Sequence, residues 1–344
     1  MLKASYYNCD KAFTLGACAP VEPQPSEVKI RVAYCGLCGT DLHVYHGHMD
    51  GRVGCERIIG HEMSGVVEGI GDEVNDLSIG DKVVVRPLDH CNECPACLNG
   101  HKHICQNLKF LGLDTDGALQ QFWTVPRHTV HKVPSQTSLK HAALVEPTAV
   151  ACHDVNRSRL QPGEDVLVIG GGPIGILIAM VASQKGGRVV ISEVNEQRLA
   201  IAESLGFNTL NPAHVDVGKL MYEVTGNKGA DVIFEVSGSQ PGVDTMTAAA
   251  AARARIVMVA IHAEKPNIDL FQFFWREIEL LGARVYTPGD FDDAIALIAS
   301  GSIDCDSIIT NVQELDKVGE VLSDLSGNPN ALKSLIKVGD EVQQ

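Results

Sequence analysis

The period of hydrophobic positions changes once along this chain. In Glu27-Val28-Lys29-Ile30-Arg31-Val32-Ala33-Tyr34 apolar and polar residues alternate, and Asp81-Lys82-Val83-Val84-Val85 is a shorter run of the same kind between Gly and Pro turns. Alternation puts successive side chains on opposite faces of a strand, so residues 1–150 read as β-rich. From Glu164 onward, short apolar runs are separated by helical stretches. Strands are expected at residues 165–170, 188–193, 230–236, 255–261 and 279–285, with a helix over 174–185 after the first of them. Strand-helix alternation implies a parallel sheet. Beyond Tyr286 a helix is expected over 291–300 and a short strand-like tail over 332–338.

A chain of 344 residues that is 45% hydrophobic can bury a sizeable core and suggests two domains. No run of eighteen apolar residues occurs, and the first residues lack the apolar stretch and cleavage site of a signal peptide, so a soluble, cytoplasmic protein is expected. Twenty-eight Lys and Arg against 43 Asp and Glu give a net charge of −15. That field opposes nucleic acid and anionic membranes as partners, and is equally a well-solvated acidic surface.

Chemistry enters with glycine. Directly after Val166-Leu167-Val168-Ile169 stands Gly170-Gly171-Gly172-Pro173-Ile174-Gly175, a G-x-G-x-x-G in the strand, turn, helix order that a dinucleotide site requires. Gly170 makes the tight turn, Gly172 lets the backbone approach a pyrophosphate, and Gly175 allows close helix–strand packing. Pro173 and Ile174 open the helix whose N–H groups face the phosphates. Glu193 lies 23 residues beyond Gly170, where a carboxylate accepts from both ribose hydroxyls and repels a 2′-phosphate. NAD is therefore expected over NADP, although Arg188 or Arg198 offers a charge that a phosphate would use.

Eleven cysteines in a cytosolic-looking chain point to metal rather than disulfides, because four fall within fifteen residues. Cys91, Cys94, Cys97 and Cys105 form C-x2-C-x2-C-x7-C, four thiolates that a short loop can fold around one tetrahedral zinc ion. An iron–sulfur cluster is the competing reading. Cys38, in Gly36-Leu37-Cys38-Gly39-Thr40-Asp41-Leu42-His43, and His61, in Gly60-His61-Glu62, are natural ligands for a second zinc. Glu146, in Val145-Glu146-Pro147-Thr148, is a further candidate. A catalytic zinc takes three protein ligands and leaves one position for substrate. Cys9, Cys18, Cys35, Cys55, Cys152 and Cys305 have no assigned role and default to buried small hydrophobes.

On these motifs the chain resembles, over essentially its whole length, the zinc-containing medium-chain alcohol dehydrogenase family. Glu146-Pro147 is similar to its sorbitol, butanediol and threonine dehydrogenase branch. The resemblance implies an α/β protein with a doubly wound Rossmann domain and a GroES-like β-rich catalytic domain. The expected boundaries are 1–152 for the catalytic domain, 153–286 for the NAD-binding domain, and 287–344 for a segment returning to the first. It implies that Cys38 and His61 bind a catalytic zinc, that Glu62 alternates as a ligand or stands just behind one, and that Glu146 supplies the remaining contact.

The implied reaction is oxidation of a secondary alcohol of a polyol, sugar or sugar acid to a ketone, with zinc as Lewis acid and NAD as hydride acceptor. Thr40 and His43 would relay the proton outward. Asp41 would orient a metal ligand. Tyr45, Arg284 and Tyr286 are substrate candidates, with Arg57 a further one. The alternatives are 2,3-butanediol or L-threonine as substrate and, in another class, a zinc- and NAD-binding regulatory protein without catalysis. A homo-oligomer, tetramer or dimer, is implied by the family alone.

Overall fold

A computed structural model describes residues 2–8, 10–327 and 331–339. The chain divides into two compact units, Met1–Glu146 with Thr287–Gln344, and Pro147–Tyr286.

The first unit is built on Glu27–Leu37, an eleven-residue strand that pairs antiparallel with Glu62–Ile70, Phe122–Pro126 and Lys333–Lys337. The alternation visible in the sequence ends at Tyr34, but the strand continues to Leu37. Its last residues are buried on both faces, and a central strand covered twice has no reason to alternate. Lys82–Val85, Val130–Lys132 and Ile309–Glu314 complete seven strands. A second sheet joins Ala12–Ala17, Lys3–Asn8 and Arg57–Ile58. Val28, Ile30, Val32, Val67, Val83, Val85 and Leu119 share the core, together with Val318, Leu322 and Ile336 from the C-terminal segment.

Register matters more than the strand count. Gly36 lies opposite Glu62, and Leu37 opposite Ser334. Three neighbouring strands therefore bring Glu62, Gly36 and Lys333 to one end of the sheet.

The second unit is a six-stranded, wholly parallel sheet in the order Asn208–Leu210, Arg188–Ser192, Asp165–Ile169, Ala230–Glu235, Ala250–Met258, Glu279–Gly282. Helices follow the strands, Pro173–Gln184 after the first. This is the doubly wound topology, whose ligands bind at the carboxyl ends of the strands. Asn208–Leu210 escaped the sequence reading because three residues with one large apolar side chain carry no period. Ala250–Met258 starts five residues before the expected 255. Its first residues, Ala250-Ala251-Ala252-Arg253-Ala254, are helix formers, and Arg253 adopts a left-handed φ of 60° beside a register shift. The last strand stops at Gly282 rather than 285, just before Val285 at φ 48°, a conformation no strand continues through.

Candidate active site

The helix Gly39–Tyr45 begins where the central strand ends. Cys38 is its N-cap: the sulfur accepts from the Thr40 N–H at 3.3 Å, while Asp41 accepts from the Cys38 N–H at 2.9 Å. This capping box fixes the thiol at the strand-to-helix corner. Glu62 opens the neighbouring strand Glu62–Ile70, and His61 directly precedes it. Gly60, at φ 101°, supplies the turn before them, in a conformation glycine tolerates and other residues resist.

Cys38 Sγ and His61 Nε2 lie 3.3 Å apart, and the donor atoms of Cys38, His61 and Glu62 fall within 4.8 Å of one another. Two ligands on one tetrahedral zinc, bonded at about 2.3 and 2.0 Å, stand about 3.5 Å apart, so the pair is placed as ligands are. Behind them, Asp41 Oδ1 is 3.8 Å from His61 Nδ1, and both are buried atoms with no hydrogen-bond partner. A carboxylate behind a ligating imidazole is the usual way to fix the tautomer.

The electrostatics agree. Burial opposes a charge on His61, but Cys38, Asp41 and Glu146 outweigh it and raise the imidazole pKa well above its ordinary value. Burial, reinforced by Asp41, raises the Cys38 thiol, and burial raises Asp41. So much negative charge in one buried place calls for a cation. The thiolate, imidazole and carboxylate donors are those zinc takes. Cys38, His61 and a glutamate would hold it.

Two glutamates are available. Glu62 is 2% exposed, and Lys333, also 2% exposed, donates to both its oxygens at 2.8 and 2.7 Å and to the Leu37 carbonyl at 3.2 Å. Burial opposes the charge on Lys333, but Glu62 foremost, then Cys38 and Glu146, outweigh it and raise the ammonium pKa. A Cβ on Gly36 would stand 2.2 Å from Glu62 Oε2, so only glycine leaves room for this carboxylate. Glu146, 7% exposed at the start of Val145–Ser158, contributes charge to both His61 and Lys333. Phe110 closes one side, edge-on to His61 with ring centroids 5.1 Å apart.

Sequence reasoning missed Lys333 and Phe110. Lys333 did leave a signal: it stands with Ser334 between the apolar residues Leu332 and Leu335-Ile336 of a short strand-like segment, where a lysine stays buried only with a partner. Of the other candidates, Thr40 is half-buried and His43 exposed on the same helix. Tyr45 is half-buried against the first unit's core and His46. Arg57 caps the Val53 carbonyl and pairs with Asp116. Arg284 is exposed, whereas Tyr286 is fully buried, which makes it a packing residue here rather than an open substrate contact.

The four lobe cysteines also gather within 4.8 Å. Cys105 Sγ is 3.4 Å from Cys91 Sγ and 3.8 Å from Cys94 Sγ. Sulfurs on one zinc stand about 3.8 Å apart, whereas a cluster spreads its thiolates over several irons. The compact arrangement suits a single ion. Backbone N–H groups of Cys91, Cys94, Gln106 and Asn107 point at these sulfurs. Backbone donors hold the Cys94 thiol down at about 6. Of the remaining cysteines, Cys35, Cys152 and Cys305 are buried as expected. Cys18 is half-buried, Cys55 is exposed and disulfide-bonded, contrary to the default of a buried thiol, and Cys9 lies outside the described residues.

In the second unit Gly170 turns at φ 109°, and a Cβ on Gly175 would stand 1.9 Å from the Gly170 carbonyl oxygen. The helix Pro173–Gln184 has Gly172 as N-cap with no side-chain cap, so its first N–H groups remain available to an anion. Glu193, 7% exposed, accepts from the N–H groups of Gly171, Val194 and Asn195 at 2.7 to 2.8 Å. Arg198 Nη1 is 3.9 Å from it.

Residues 24–135 match the alcohol dehydrogenase GroES-like domain, and residues 173–300 match the zinc-binding dehydrogenase domain. A 2-dehydro-3-deoxy-L-galactonate 5-dehydrogenase from Pseudoalteromonas atlantica is 52% identical, over 98% of this chain and 99% of that one. The chain belongs to the zinc-type medium-chain alcohol dehydrogenase family. It is thus an oxidoreductase with a GroES-like and a Rossmann domain. Within the family, a sorbitol dehydrogenase from Halalkalibacterium halodurans is 32% identical over 86% of this chain and 89% of that one. A zinc-binding dehydrogenase from Sinorhizobium meliloti, solved with NADP, superposes with a TM-score of 0.92 at 30% identity, covering 98% of this chain and 99% of that one. No helix among the described residues is long and apolar enough to cross a membrane.

Proposed function

We propose that this enzyme oxidises a secondary hydroxyl of a sugar acid, or of a related polyol, to a ketone, with NAD as acceptor and zinc as the resident ion. The observation that carries the reading is the Cys38, His61 and Glu62 group within 4.8 Å, held against the buried Lys333 ammonium. The 52% identical sugar-acid dehydrogenase favours a sugar acid over a plain polyol.

Bound zinc would act as Lewis acid on the substrate oxygen. Cys38 and His61 hold the ion. Because Lys333 occupies both oxygens of Glu62, Glu146 is the better direct ligand, and Glu62 serves as the charge behind it. Asp41 keeps His61 oriented with Nε2 toward the sulfur. Thr40 and His43 carry the alcohol proton outward, while Tyr45 and Arg284 are available to line the substrate. The second zinc sits among Cys91, Cys94, Cys97 and Cys105 and fixes the lobe.

For the cofactor, the Gly170–Gly175 turn (Gly170, Gly172, Pro173, Ile174, Gly175) receives the pyrophosphate and Glu193 the adenosine ribose. Glu193 already draws Arg198 toward itself, so that guanidinium is poorly placed to serve a 2′-phosphate, and NAD is preferred. The unit of residues 1–146 with 287–344, against the expected 1–152 with 287–344, acts as the catalytic domain, and residues 147–286, against the expected 153–286, act as the NAD-binding domain. The enzyme is a cytoplasmic homo-oligomer. In support of association, Phe271, Phe274 and Trp275 are 60 to 76% exposed on the helix Leu270–Arg276, which precedes the edge strand Glu279–Gly282, and an unpaired edge with exposed apolar side chains nearby favours pairing with a second copy.

The test is reduced-cofactor absorbance with NAD or NADP against sugar acids, sugar alcohols, vicinal diols, primary alcohols and L-threonine, with and without a zinc chelator. Chelator-sensitive, NAD-linked turnover greatest on a sugar acid is expected. Turnover greatest on 2,3-butanediol or L-threonine would move the substrate assignment to that class, and no turnover on any alcohol would remove the catalytic reading.

A further inference from the structure

Outside the two cysteine-bearing groups, histidines crowd a surface turn. His43 lies in the last turn of the helix Gly39–Tyr45, and Gly47 at φ 77° folds the chain back, with the His48 N–H donating to the His43 carbonyl at 3.0 Å. The turn sets the two imidazoles side by side, Nδ1 to Nδ1 at 3.4 Å, with ring centroids 5.7 Å apart. Both residues are exposed.

That separation lies at the long end of hydrogen bonding. It matches the edge of a tetrahedron around an ion bonded to two imidazoles at about 2.0–2.1 Å, which is about 3.3–3.4 Å. His46, between them in sequence, is turned aside by Ser326, whose Oγ lies 3.0 Å from its Nε2, and it is not counted as a ligand. Water completes the coordination at an exposed site, and paired imidazoles select zinc, nickel or copper over calcium and magnesium.

We propose that His43 and His48 form a third metal site, a surface pair for a borderline divalent cation, and that its occupation inhibits the enzyme. The inhibitory part rests on the proton-carrying role given to His43 above: an Nδ1 bonded to a cation cannot take up a proton. The site would make turnover sensitive to free transition metal while the resident ions stay in place.

Equilibrium dialysis of the untagged holoenzyme against nickel alone, followed by turnover in the same nickel series, tests both parts. The wild type is expected to bind one nickel per chain beyond its resident metal and to lose turnover as that site fills. His48→Ala is expected to keep its basal turnover and to bind that nickel at least about tenfold more weakly, since even losing a group behind a ligand costs about 10–100-fold. Its inhibition curve shifts by the same factor, and His46→Ala leaves both curves unchanged. Equal nickel affinity in wild type and His48→Ala would overturn the site. Binding lost with inhibition unchanged would overturn its coupling to His43. The binding difference does not depend on any substrate, so it stands apart from failure of the proposed reaction.

Discussion

Lys333 reaches across the strand Glu27–Leu37 to grip both carboxylate oxygens of Glu62, at 2.8 and 2.7 Å, with each residue only 2% exposed. Removing one partner of such a pair leaves the other charge buried alone. Lys333→Met should therefore cost about 3–5 kcal/mol of stability, and Glu62→Gln added to it should recover a large part. Denaturant unfolding of the two variants checks this; a single variant as stable as wild type would show that the pair does not hold this end of the sheet.

The contact also shows where sequence reasoning reached and where it stopped. Cys38, His61, Glu62 and the lobe cysteines stand in local motifs, each chemically distinctive within a few residues, so their candidacy could be read directly. Lys333 is distant in sequence from Glu62 and becomes its neighbour only because the C-terminal strand pairs with Glu27–Leu37; no local pattern encodes that register. The parallel sheet was legible where strands carry uninterrupted apolar runs such as Val166 to Ile169. It was lost at Asn208–Leu210 and in the alanine-rich start of Ala250–Met258, where propensity points elsewhere and neighbouring strands decide. The substrate contacts depend on side-chain placement, and Tyr286 proved buried.

Gly36→Ala should disturb the same contact from the other side. The new Cβ would stand 2.2 Å from Glu62 Oε2, which forces the carboxylate off its present position. A loss of about 1–3 kcal/mol is expected by the usual cost of overpacking, together with reduced turnover. Unchanged stability and turnover would show that Glu62 can settle elsewhere at no cost.

Asp114 joins the wall of the site to the chain behind it. It takes Arg52 in a two-pronged pair at 2.7 and 2.8 Å and accepts from the N–H of Phe110, whose ring abuts His61. Arg52 holds its carboxyl below the ordinary value. The folded pKa being depressed, the contribution is complete above the unfolded pKa of about 3.9 and disappears as pH falls through the folded value. Asp114→Asn should cost up to about 1 kcal/mol at pH 7, because the pair is partly exposed, and should converge with wild type in acid. Parallel stability curves down to the lowest pH would contradict this.

Glu193→Ala should relax the choice of cofactor, raising the ratio of NADP to NAD efficiency by about tenfold, or about 1.4 kcal/mol. Because Glu193 also accepts from three N–H groups of the surrounding turn, NAD binding itself should weaken. An unchanged ratio in steady-state kinetics would place specificity elsewhere.

The central claim, that Cys38 and His61 hold a zinc ion on which turnover depends, is tested most directly by counting zinc per chain in wild type and Cys38→Ser alongside turnover. Two zinc ions in the wild type, one in the variant, turnover abolished and NAD binding kept is the result this account predicts. A Cys38→Ser enzyme that retains two zinc ions and turns over normally would contradict it.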